Sequence, residues 1–109
     1  MDFKIIAVDF DGTLCTNAWP EIGKPNLSFI EWLKQQSLHG VKLILWTCRD
    51  GVMLDNAVAW CNEQGLHFDA INDNVPEATA LFGSNSRKVF ADMYIDDKAL
   101  QIRAEEWTI

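Results

Sequence analysis

Residues 3–10, "FKIIAVDF", are apolar and β-branched almost throughout. A strand with one wet face alternates apolar and polar residues. This run does not, so it requires cover on both faces, and that demand selects a layered α/β architecture over an open antiparallel sheet. "VKLILWT" (41–47) repeats the pattern, and "HFDAI" (67–71) and "ADMYID" (91–96) read as two shorter strands. Between the first two, "NLSFIEWLKQQSLHG" (26–40) places Leu27, Ile30, Leu33 and Ser37 on one helical side, with Asn26 as an N-cap and Gly40 as a stop. "DGVMLDNAVAWCNEQG" (50–65) repeats this grammar, with Asp50 at its start, Leu54, Val58 and Cys61 on one face and Gly65 at its end. Residues 12–25 carry Gly and Pro and are expected to form a loop or small hairpin, and 72–87 a loop with a helical turn.

Strands alternating with helices imply right-handed crossovers and a doubly wound, mostly parallel sheet. The expected spatial order of the four strands is 4-1-2-3, with the first strand central. No repeat, low-complexity tract or linker interrupts the chain, so residues 1–109 are expected to form one domain.

Composition narrows the function. Hydrophobic residues make up 49% and charged residues 23% of 109 positions, a globular balance. The net charge of −7 argues against broad nucleic-acid binding, which needs a basic face. It leaves room for a phosphorylated substrate if a cation neutralises clustered carboxylates. Three cysteines, Cys15, Cys48 and Cys61, have no disulfide-like spacing. With no secretory leader and no apolar run of membrane-spanning length, the expected setting is reducing and cytoplasmic, away from the membrane.

Three of the four strands end in polar groups: Asp9 and Asp11 after the first, Thr47 at the second, Asp96 and Asp97 at the fourth. Open parallel sheets bind ligands outside the carboxyl ends of their strands, so these groups are sent to one edge. Clustered carboxylates repel one another unless a cation sits among them, and hard oxygen donors suit magnesium. Taken singly, Asp-x-Asp-Gly also makes an ordinary turn and Asp96-Asp97 an ordinary helix cap. Other motifs fail: position 13 is Thr and 14 is Leu where a calcium loop needs an acidic or amide residue and then Gly, and there is neither a phosphate-binding loop nor G-x-G-x-x-G. His39 and His67 have no nucleophile motif beside them and fit capping or surface roles.

"DFDGTL" (9–14), "LILWT" (43–47), Lys88 and "YIDDKA" (94–99) together resemble the four motifs of the haloacid dehalogenase superfamily, in order, across nearly the whole chain. Lys88 has competitors in Arg87 and Lys98, and the close lysine-to-Asp-Asp spacing of small members of that superfamily favours Lys88. The resemblance implies a phosphatase without a cap domain, because neither 12–46 nor 48–87 has room for one. It implies Asp9 as a nucleophile that forms an aspartyl-phosphate, Asp11 as general acid and base, and Thr47 and Lys88 as holders of the phosphoryl oxygens. It also implies Mg2+ on Asp9, Asp96 and the backbone carbonyl of Asp11, with Asp97 contacting the ion through water or supporting its ligands.

The implied substrate is a phosphorylated small molecule or the phosphorylated end of a larger one. The alternatives are a phosphotransferase or nucleic-acid end-processing phosphatase with the same intermediate, or a metal-binding module without turnover. Trp19 is read either as a stacking surface for a base or sugar or as packing on the first helix. Arg49 is read either as a clamp for a second anionic group or as a solvated loop charge.

Overall fold

The structure, a computed structural model, describes residues 1–102; residues 103–109 of the C-terminal segment lie outside the described residues. In chain order the elements are β1 (Ile5–Val8), β2 (Cys15–Ala18), β3 (Glu21–Pro25), α1 (Leu27–Leu38), β4 (Lys42–Leu45), α2 (Gly51–Glu63), β5 (Ala70–Ile71), α3 (Pro76–Phe82) and β6 (Met93–Ile95). All four residues of β1 are buried, as its unbroken apolar run requires. β1 forms parallel ladders on both sides, Ile5–Val8 opposite Lys42–Leu45 of β4 and Ile6–Val8 opposite Met93–Ile95 of β6. β5 adds a short parallel ladder outside β4, so the sheet reads β5-β4-β1-β6.

The pleat of β1 divides the core. Ile6 and Val8 point to one face, where Leu43, Leu45 and Phe10 meet Ile30 and Leu33 of α1 and Ala57 and Cys61 of α2. Ile5 and Ala7 point to the other, against Ile44, Val75, Ala78 of α3 and Val89. β5 and β6 are shorter than the expected strands 67–71 and 91–96, and an aspartate precedes each ladder and bonds to the adjacent strand. Asp69 Oδ2 accepts the Leu43 N–H and Asp92 Oδ2 accepts the Ile5 N–H, each at 2.8 Å.

Residues 12–25 form the antiparallel β2–β3 hairpin. Between Asp11 and Thr47 the chain holds only this hairpin, α1 and β4, and between Thr47 and Lys88 only α2, β5, α3 and their loops, so there is no cap domain. Asn26 sits at the start of α1 without a side-chain capping bond and instead donates from Nδ2 to Thr13 O at 3.2 Å. His39 ends α1 with its ring Nδ1 2.7 Å from Gln35 O. No helix among the described residues is long and apolar enough to cross a membrane.

Candidate active site

β1, β4 and β6 run parallel, so the residues that leave them emerge at one edge. Asp9 follows β1 directly and its N–H donates to Ile95 O of β6 at 2.9 Å, which seats it between the two strands. Asp96 and Asp97 follow β6. Carboxylate oxygens of Asp9, Asp96 and Asp97 all lie within 4.8 Å of one another. Burial, aided by the charges of Asp96, Asp97 and Asp11 and opposed by a hydrogen bond from the Phe10 backbone, pushes the Asp9 carboxyl up from 3.8 to about 6.

Gly12 makes this convergence possible. Its φ is +83°, a region that side chains disfavour, and a Cβ there would overlap the carboxylate of Asp97. The cluster fits a magnesium ion. Oxygens in one octahedral shell at about 2.1 Å from Mg2+ lie roughly 3 Å apart when adjacent and 4.2 Å when opposite. Three hard carboxylate donors within 4.8 Å can meet that spacing with small rotations, leaving positions for water and substrate.

Asp11 stands apart from the cluster. Its carboxylate is held by Arg49 in a bidentate pair, Nε to Oδ2 at 2.8 Å and Nη2 to Oδ1 at 2.7 Å. Only 2% of Arg49 is exposed. Its remaining donors reach the carbonyls of Pro20, Glu21 and Met53, and its guanidinium lies 4.9 Å from the ring centroids of both Phe10 and Trp19. Arg49 is therefore neither a solvated loop charge nor a free clamp: it binds Asp11, the β2–β3 hairpin and the loop before α2 into one unit. Its raised pKa follows from the hydrogen bond to Asp11.

Thr47 is set by a residue that the sequence reading missed. Asn72, at φ +50°, accepts the Thr47 N–H on Oδ1 at 2.8 Å and donates from Nδ2 to Arg49 O at 3.3 Å. Asn tolerates this left-handed conformation, and the "NDN" turn after a short strand was the available signal. Thr47 Oγ1 accepts the Arg49 N–H at 3.1 Å, which leaves its hydroxyl proton free for a ligand.

A cavity of about 630 Å3 opens on this edge, lined by Asp9, Asp11, Thr47, Asp96 and Lys98 with Trp19, Trp46, Asn17, Cys48 and Arg49. Lys88 is not in its wall. Lys88 is exposed, on the loop before β6, with Nζ 5.2 Å from the Tyr94 ring centroid. That loop is pinned by buried Asn74, which donates to Asn85 Oδ1 and Ser86 O and accepts the Phe90 N–H. The lysine that the fold brings to the cavity is Lys98, whose backbone N–H also donates to Asp96 Oδ1 at 2.9 Å. Cys15 and Cys61 are buried, and Cys48 is an exposed thiol on the cavity wall.

No protein-family model matches the chain, and no curated protein matches it. A solved structure does: a conserved protein from Bacteroides thetaiotaomicron, 41% identical, superposes with a TM-score of 0.79 over 91% of this chain and 79% of that one.

Proposed function

We propose, for a chain that belongs to the same family as that conserved Bacteroides thetaiotaomicron protein, a Mg2+-dependent phosphomonoester hydrolase of the haloacid dehalogenase type. The observation that carries it is the convergence of Asp9, Asp96 and Asp97 beside a cavity that also presents Thr47 and Lys98. Asp9 is half-buried and Asp96 and Asp97 are exposed, and a cation among them would offset their mutual repulsion and draw in an anionic ligand. The order of the Asp9, Thr47 and Asp96-Asp97 motifs along the chain supports the same reading. The three free thiols suit a reducing, cytoplasmic setting.

Asp9, Asp96 and Asp97 would hold the magnesium ion, which neutralises the carboxylates and draws charge from the phosphoryl oxygens. An Asp9 Oδ attacks phosphorus in line, and the bond to the ester oxygen breaks as the aspartyl-phosphate forms. Asp11, protonated from solvent once one of its oxygens has left the Arg49 guanidinium, gives that proton to the departing alkoxide. It then takes a proton from the water that attacks phosphorus, and the Asp9–phosphorus bond breaks to release phosphate. The bidentate pair with Arg49 is the resting arrangement of Asp11, so one carboxylate oxygen leaves the guanidinium before it carries a proton. The Thr47 hydroxyl and a lysine ammonium orient the phosphoryl group; the lysine is Lys98, which belongs to the cavity wall, or Lys88, whose Nζ rests 5.2 Å from the Tyr94 ring centroid.

Hydrolysis of an aryl phosphate should require both Mg2+ and Asp9. Asp9→Asn, or chelation, should lower turnover at least a thousandfold, on the order expected when a nucleophile is removed. Normal turnover by Asp9→Asn would overturn the reading.

A further inference from the structure

We infer that the substrate is a nucleoside monophosphate, with its base stacked on the free face of Trp19. The inference rests on the phosphatase reading of the same cavity and adds the class of alcohol that carries the phosphate. Trp19 is 56% exposed even though one face of its indole lies on the Arg49 guanidinium. Much of the ring therefore stays open, and Trp19 belongs to the wall of the cavity that holds Asp9.

Exposed tryptophans are usually loose, but this one is held. The guanidinium beneath it is fixed by two bonds to Asp11 and by the carbonyls of Pro20 and Glu21, which follow Trp19 in the hairpin. The Trp19 backbone N–H donates to Asn17 Oδ1 at 3.3 Å, which fixes the chain that carries the ring. A pre-positioned ring stacks without first giving up rotamer freedom.

The chemistry of the wall selects the partner. A volume of about 630 Å3 is in the range of sites for cofactor-sized ligands, well beyond the need of a bare phosphate or a triose. One face of the indole already carries a cation, so a second cation above it gains little and a neutral planar ring gains more. Trp46 adds apolar wall, and Asn17 supplies an amide able to meet a base edge or a sugar hydroxyl. The net charge of −7 opposes a polynucleotide, which brings a charge with every residue, and favours a single nucleotide.

The test compares adenosine 5′-monophosphate with ribose 5-phosphate, which is the same molecule without the base, and with a 5′-phosphorylated oligonucleotide. Wild type should favour the nucleotide over the sugar phosphate in kcat/KM by on the order of tenfold. That ratio should collapse in Trp19→Leu and return in Trp19→Phe, which keeps a ring. Taking the ratio removes any general impairment of the hairpin. Calorimetric binding of the same compounds to Asp9→Asn with Mg2+ gives a readout without turnover, so a base-dependent affinity lost in Trp19→Leu supports the inference even if hydrolysis fails. Equal kcat/KM for nucleotide and sugar phosphate, a ratio unchanged in Trp19→Leu, or preference for the oligonucleotide over the free nucleotide would each overturn it.

Discussion

Under the proposed mechanism Asp9 must be two things at once, a carboxylate ready to attack and a partly buried neighbour of Asp96 and Asp97. Burial, with the charges of Asp96, Asp97 and Asp11, raises its carboxyl to about 6. The linkage has a definite sign. Between about pH 4 and 6 the folded protein holds a proton on Asp9 that the unfolded chain has released. Stability from this residue is therefore present at low pH and is lost as pH rises through 6, by roughly 2 kcal/mol after allowance for partial exposure. With chelator present, unfolding free energies of wild type minus Asp9→Asn should fall across that window. Saturating Mg2+ should reverse the slope, because the ion binds the ionised form and its affinity weakens below pH 6. A flat difference in both conditions would show that the cluster does not perturb Asp9.

At the scale of elements, the β2–β3 hairpin is the part whose role the sequence did not disclose. Gly and Pro spacing announced a turn region at 12–25, but nothing local to the hairpin says that its anchor is Arg49, far along the chain. The bond set of a buried arginine is a tertiary property, and composition around residue 49 resembles any polar loop. Lys88 illustrates the same gap. Its spacing to Asp96 matched a motif, yet the Asn74 network and the Tyr94 ring fix where its loop runs, leaving Lys98 on the cavity wall. The strand-end carboxylates were legible because a parallel sheet converts strand order into a shared edge without needing side-chain detail.

Removing the guanidinium in Arg49→Met should strand Asp11 and free the Pro20 and Glu21 carbonyls. The expected loss is about 2–3 kcal/mol in denaturant unfolding, short of a fully buried pair because Asp11 retains some solvent contact. Limited proteolysis should cut faster within residues 15–25. A change below about 0.5 kcal/mol with unchanged cleavage would contradict the anchoring role.

For the molecule as a whole, the architecture follows from the buried β1. A strand apolar on both faces needs α1 and α2 on one side and α3 on the other, and parallel ladders to β4 and β6 then carry Asp9, Thr47, Asp96 and Asp97 to one end. With a net charge of −7, that end should receive a phosphate dianion well only when a divalent cation is present. With only the hairpin, α1 and β4 between Asp11 and Thr47, the proposed function would leave substrate selection to the hairpin and its tryptophan. In the proposed mechanism the phosphoryl group passes covalently to one carboxylate, that of Asp9. Acid-quenched protein, taken within the first turnover of a phosphomonoester in Mg2+, should carry the mass of one phosphoryl group on the peptide containing Asp9, and Asp9→Asn should carry none. An unmodified Asp9 peptide during sustained phosphate release, or a label surviving in Asp9→Asn, would contradict the account.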